Sequence, residues 1–186
     1  MSRHRAAALA LALLTAAGTA GADEIEGVAF AERLTVGRTS LGLRGTGLLR
    51  KFLIKGYVAG LYLADEVPSA RVLTDVPKRL EIEYFRSIAA DAFAKAGDQY
   101  IARNVDAATL MRLRPRLDQL NALYRSVEPG DRYSLTYVPG QGTELSLNGK
   151  PLGRIPGADF AAAVFSIWLG DQPVDEPLKR RLLAPR

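Results

Sequence analysis

Phe52 to Leu63 reads FLIKGYVAGLYL, a run in which Lys55 is the only charge. An almost continuously apolar and aromatic stretch of this length suits a central β-strand covered on both faces. Alternation along it places Tyr57 on one face with Lys55, Ala59 and Leu61, and Phe52, Ile54 and Val58 on the other. The chain must therefore build a sheet around this segment and supply apolar cover for it.

The neighbouring segments provide that sheet. Leu34 to Arg38 and Ser40 to Thr46 alternate loosely, and Lys78 to Phe85 alternates cleanly, with Leu80, Ile82 and Tyr84 opposite Glu81 and Glu83. Further strands are expected at Tyr133 to Val138, Glu144 to Leu147 and Leu152 to Ile155. They are separated by a Pro139–Gly142 turn and by Asn148-Gly149, a strong two-residue hairpin signal. Helices are expected from Ser87 onward, where Ala92, Phe93, Ala96 and Tyr100 are spaced for one packed face. A second should run from an Asp106 N-cap towards Val127, with Pro115 kinking or dividing it. A third should run from about Asp159 to Leu169, ended by Gly170, and a short last one should begin near Asp175 with Pro177 in its first turn. Strands, helices, strands and helices in that order make the fold class α+β rather than alternating βαβ.

The N-terminus reads differently. Arg3 and Arg5 precede an unbroken apolar run, Ala6 to Leu14, and small residues lead to Ala20-Gly21-Ala22. This is the pattern of a cleaved secretory signal, too short to span a membrane as an anchor. Residues 1–22 are expected to be a signal peptide and 23–186 a single domain, exported to a periplasm or the exterior. Loss of Arg3 and Arg5 lowers the formal charge from +5 to +3. The basic clusters Arg112-Leu113-Arg114-Pro115-Arg116 and Lys179-Arg180-Arg181 interleave no aromatics in a stacking pattern and read as solvated helix faces, so no nucleic-acid partner is expected.

The chain has no cysteine, and its single histidine is His4, inside the expected leader. The mature domain is therefore closed to thiolate nucleophiles, disulfides, Ser-His-Asp triads and imidazole metal ligands. No cofactor or metal motif is present, and chemistry must come from carboxylates, Lys, Arg, Tyr, Ser, Thr and backbone. Arg44 stands among Gly42, Gly45 and Gly47, whose spacing fits neither a Rossmann nor a P-loop pattern but allows close backbone approach and a slot for the arginine. Arg44 and Tyr57 on adjacent strands could bind a carboxylate or enolate, the guanidinium giving a bidentate fork and the phenol a third donor. The alternative is an Arg44 paired with Glu81, Glu83 or a backbone carbonyl, and a Tyr57 whose hydroxyl reaches the surface. Lys55 reads as a snorkelling edge lysine, Glu81 and Glu83 as the solvated face of a half-exposed strand, and Tyr84, Tyr100, Tyr124 and Trp168 as core.

Leu43-Arg44-Gly45 and the run ending Ala59-Gly60-Leu61-Tyr62-Leu63 resemble the opening strands of the chalcone isomerase superfamily. Ile155-Pro156-Gly157 followed by Phe160 to Gly170, and Asp175 to Leu183, resemble its closing helices, most closely those of exported chalcone isomerase-like proteins of bacteria. The resemblance spans about residues 25 to 184. It implies an open-faced β-sandwich, a large antiparallel sheet backed by helices with a cleft between. It also implies one of two activities. Isomerases cyclise an enone with an arginine stabilising developing negative charge, whereas fatty-acid-binding relatives use that arginine and a tyrosine to hold a carboxylate.

The departures from the isomerase pattern take a side. Tyr57 and Ile167 align with positions that are hydroxylated threonine or serine in the isomerases, and Ser166 lies roughly 100° around the helix from Ile167. Tyr100 with Asn104, or Asn121 with Tyr124, are the available counterparts of the isomerases' central tyrosine and asparagine. The resemblance thus implies a non-catalytic protein binding an apolar ligand with an anionic head, such as a fatty acid, clamped by Arg44 and Tyr57. The alternatives are an isomerase or intramolecular lyase with Arg44 as electrophilic stabiliser, and a cell-envelope interaction protein with a relic cleft.

Overall fold

The computed structural model describes residues 22–184. Residues 1–21 of the expected leader lie outside them, and Ala22, its expected last residue, is the first of the described ones. Seven strands form one antiparallel sheet in chain order: β3 (Arg33–Val36), β4 (Thr39–Lys51), β5 (Ile54–Leu63), β6 (Lys78–Tyr84), β7 (Arg132–Val138), β8 (Gly142–Leu147) and β9 (Lys150–Ile155). Helices α1 (Ala90–Asn104) and α2 (Ala107–Leu123) are inserted between β6 and β7, and α3 (Ala158–Leu169) and α4 (Glu176–Leu182) follow β9. A separate hairpin of β1 (Ala22–Ile25) and β2 (Val28–Ala31) precedes the sheet. This is the α+β architecture expected, a large antiparallel sheet backed by helices.

Strand alternation divides the core in two. Tyr57, Ala59 and Leu61 of β5, with Leu80 and Ile82 of β6, meet the helices, chiefly through Phe160, Val164 and Ile167 of α3 and Leu113, Leu117 and Leu120 of α2. On the other face Val58 and Tyr62 pack with Leu41, Leu43 and Phe30. The β1–β2 hairpin brings Phe30 and was not expected from the sequence. It also changes the environment of Glu81 and Glu83. Glu81 is only 6% exposed, and Arg79 (2.8 Å) and Arg132 (3.2 Å) neutralise it while Arg132 also holds Glu83 at 2.7 Å. The half-exposed strand face is instead a covered ionic one.

Local signals behave as their chemistry requires. Asn148 and Gly149 adopt φ of 50° and 76° and close the β8–β9 hairpin. Asp106 and Asp175 cap α2 and α4 by accepting from the backbone N–H groups of Thr109 (2.8 Å) and Leu178 (2.7 Å). Pro115, in contrast, does not divide α2. The carbonyl it deprives is that of Met111, and both residues lie on the exposed side, so the lost bond leaves no buried unpaired group. The first helix begins at Ala90 rather than Ser87, because Ile88 pairs with Val127 in a β-bridge at its base.

Two sequence expectations fail around β4. The apolar run is not a covered strand throughout: Phe52 and Leu53 form the β4–β5 turn, and burial begins only at Tyr57. Gly45 and Gly47 make no slot for Arg44. A Cβ at Gly45 would stand 2.2 Å from the Arg181 carbonyl oxygen, and one at Gly47 would stand 2.6 Å from the Leu178 side chain. Their absence of side chains lets α4 lie directly on the strand.

Candidate functional site

An apolar cavity of about 300 Å³ opens between the sheet and α1. Its floor is Leu49 of β4, Tyr57 of β5, Ile82 and Tyr84 of β6 and Leu135 of β7. Its helical wall is Ala92, Phe93, Ala96, Gly97 and Tyr100 of α1, with Ile167 and Trp168 of α3 at one side. The volume lies at the lower end of the range for small-molecule sites and equals roughly ten water-sized groups. The cavity exists because α1 presents small residues to it. At Gly97 an added Cβ would meet nothing within 4 Å.

Aromatic packing holds part of the lining together. Tyr84, Phe93, Tyr124 and Tyr133 pack edge-on or stacked with centroid separations of 5.3 to 6.1 Å, and Tyr57 meets Tyr84 edge-on at 5.7 Å. The Tyr133 hydroxyl is committed elsewhere, donating to the Arg125 carbonyl at 2.8 Å. Tyr57 is arranged differently. Its hydroxyl oxygen accepts the Trp168 indole N–H at 2.9 Å, and among the described residues no protein group accepts its own proton. Burial drives the Tyr57 phenol well above its ordinary pKa, an effect that the Trp168 bond only partly offsets. Tyr57 thus stays a neutral donor, oriented by Trp168 and facing an apolar space. Burial likewise raises Tyr84 and Tyr124, which line the same cavity.

Lys51, the last residue of β4, is the cation on the lining. The cavity therefore has an apolar body, a hydroxyl donor on its floor and a positive charge at its edge. That arrangement accommodates a hydrocarbon with a single acidic group. It holds no paired carboxylates. No cluster of three or more His, Cys, Asp or Glu occurs among the described residues.

The structure brings together only part of the residue set read from sequence. Tyr57, Tyr100, Tyr124, Ile167 and Trp168 line the cavity. Arg44 does not. It sits at a register shift of β4 between Leu43 and Gly45, whereas Leu49 is the residue opposite Tyr57. At about 3.4 Å per residue, Arg44 lies roughly 17 Å along the strand from that point. It lines a separate polar depression with Gly42 and Asp65 and donates to the Val67 carbonyl at 2.7 Å. Of the two readings of Arg44, the backbone-carbonyl one describes its contacts. The Tyr57 hydroxyl does not reach the surface as the alternative reading has it: the residue is buried and the oxygen meets the Trp168 indole.

The remaining candidates are structural. Lys55 pairs with Glu26 on the surface. Asn104 accepts from the Gln172 N–H and donates to the Tyr100 and Gln172 carbonyls, tying α1 to the end of α3. Asn121 reaches Asp98 at 3.3 Å. Lys51 was missed because nothing in the pattern separates a lysine at a cavity edge from any other strand-end lysine. Trp168 was read as core, and only its indole N–H, a buried donor that needs an acceptor, hinted at more.

A family model described as chalcone isomerase-like matches residues 22–184. Among solved structures, the crystal structure of an Arabidopsis thaliana fatty-acid binding protein is similar in fold. Its TM-score is 0.68 at 14% identity, covering 88% of this chain and 96% of that one. No curated protein sequence matches.

Proposed function

Because the chain belongs to the chalcone isomerase-like family, we propose that it is a non-catalytic binding protein for an apolar ligand with an anionic head, a fatty acid being the first case to test. The observation that carries this reading is the apolar cavity, with the unengaged Tyr57 proton on its floor and Lys51 at its edge. A carboxylate there accepts from Tyr57 and is neutralised by Lys51, while the chain replaces water against Leu49, Ile82 and Phe93. The fatty-acid-binding character of the Arabidopsis protein of similar fold agrees with it. The clamp is thus Tyr57 with Lys51, and Arg44 takes no part. The isomerase alternative gave its stabilising role to Arg44, which does not line the cavity. We also propose export through the leader, tested by an N-terminal mass that begins at Asp23 in protein from the native host.

The test is a titration of the purified protein with decanoate, followed through Trp168, the only tryptophan. Micromolar binding is expected, weakened by Lys51→Glu and Tyr57→Phe and unchanged by Arg44→Ala. Absence of binding at millimolar ligand, or equal binding of decane and decanoate, would overturn the reading.

A further inference from the structure

The β4–β5 turn breaks two rules of local sequence at once. Phe52 is 96% exposed, Leu53 91% and Ile54 51%, so three large apolar side chains stand together in solvent at the end of a hairpin. Phe52 also holds φ of 54° at the first central position of a two-residue turn, where glycine is the unstrained choice. A turn that needed only to reverse the chain would be polar and contain Gly or Asn.

The flanking residues say what covers it. Arg50, Lys51 and Lys55 form a basic collar immediately behind the apolar tip. Glu26 answers part of it, reaching Arg50 at 3.6 Å and pairing with Lys55, and the collar keeps an excess of positive charge. An apolar point backed by cations complements a bilayer whose acyl region lies behind a layer of anionic headgroups. A protein partner fits less well, since three protruding side chains fall far short of the roughly 800 Å² each side contributes to a stable interface. Phe52 and Leu53 form the turn itself, beyond the paired Lys51 and Ile54, so they reach an interface ahead of the cations.

The geometry points to the β4–β5 tip as a docking finger for an anionic lipid bilayer, with Phe52, Leu53 and Ile54 entering the interface and Arg50, Lys51 and Lys55 contacting headgroups. Lys51 belongs both to this collar and to the lining of the cavity. Docking therefore sets the cavity edge against the membrane, and an acyl ligand passes between them without crossing bulk water. That last step rests on the ligand reading above, whereas the docking stands on the tip alone.

Flotation of the mature chain, beginning at Asp23, with phosphatidylcholine vesicles, with and without phosphatidylglycerol, tests it. The probe variant is Phe52→Gly with Leu53→Ser, which writes a preferred Gly-Ser turn and so protects the fold. Wild type is expected to float with phosphatidylglycerol vesicles. Its partitioning should fall at least tenfold for each apolar side chain removed, and about fivefold per engaged cation when the anionic lipid is omitted or salt is raised. Equal flotation of wild type and variant, or none by wild type, overturns the proposal, as does a concentration-dependent dimer that replaces vesicle binding and is lost in the variant. Decanoate titration of the same variant without vesicles is expected to match wild type, so failure of docking is read separately from failure of ligand binding.

Discussion

Gly97 offers the sharpest test of whether the cavity is kept for a ligand. It lies within α1 with open space where its side chain would be, and that space is the cavity. Glycine inside a helix costs about 0.8–1 kcal/mol relative to alanine, so Gly97→Ala is expected to stabilise the protein by about that much. Gly97→Leu goes further. Its four side-chain carbons, at roughly 30 Å³ each, fill about 120 Å³ of the 300 Å³ present. An acyl chain then loses room for about four methylenes at about 0.8 kcal/mol each, which is about 3 kcal/mol or roughly a hundredfold in Kd. Urea unfolding followed by far-UV circular dichroism measures the first effect, and Trp168 fluorescence against decanoate measures the second. Hexanoate, which needs less room, should lose much less affinity than decanoate. A Gly97→Ala variant less stable than wild type, or a Gly97→Leu variant that binds decanoate normally, would refute the reasoning.

Three further outcomes follow from the same geometry. Gly45→Ala is the same chemical change with the opposite sign, because its Cβ would collide with the α4 backbone at Arg181; urea unfolding should show a loss of about 1–3 kcal/mol. Tyr57→Phe removes the acceptor of the Trp168 indole N–H and should cost about 1–3 kcal/mol in the same assay, whereas adding Trp168→Phe removes both partners and should recover part of that loss. Lys78 is buried, with Nζ donating to the Thr74 and Val76 carbonyls at 2.8 and 2.9 Å, and burial lowers its pKa to about 8. Between that value and the ordinary lysine pKa the unfolded chain binds more protons than the native one, so stability should rise with pH from about 8 to 10. Above about pH 10 the buried tyrosines, raised in the native state, reverse the slope as their unfolded counterparts ionise. Denaturation midpoints across that range check the sign, and Lys78→Met should abolish the rise.

The fold was legible where a residue's own backbone chemistry decides its place. Asn148-Gly149, Asp106 and Asp175 act within three residues of themselves, and the alternation of Lys78 to Phe85 needs only one buried face. What required a third element was not legible. Glu81 becomes buried because Phe30 and Arg132 cover it from distant segments, and Arg132 lies over the Phe30 ring at 4.9 Å. The apolar run was misread at its start because pattern cannot distinguish Phe52 at a solvent-exposed tip from Phe52 in a core. At the site, Tyr57 was found because it sits on a strand whose facing was predictable. Arg44 was set beside it because the two strands are adjacent, but the pairing of Tyr57 with Leu49 leaves Arg44 five residues away along β4, a register that pattern does not reveal.

The helical wall of the cavity is an excursion from the sheet with a narrow neck. Its two ends are laced together by the paired Ile88 and Val127 backbones and by Tyr84, which donates to Asp131 and accepts from Gly130. The strands on either side, β6 and β7, pair directly with each other from Lys78–Tyr137 to Glu83–Arg132. That pairing is made beneath the loop and does not depend on its length. Of the two inserted helices α1 alone lines the chamber, while α2 gives Leu113, Leu117 and Leu120 to the core, so exchanging the inner face of α1 retunes what the chamber holds without removing the cover of the sheet.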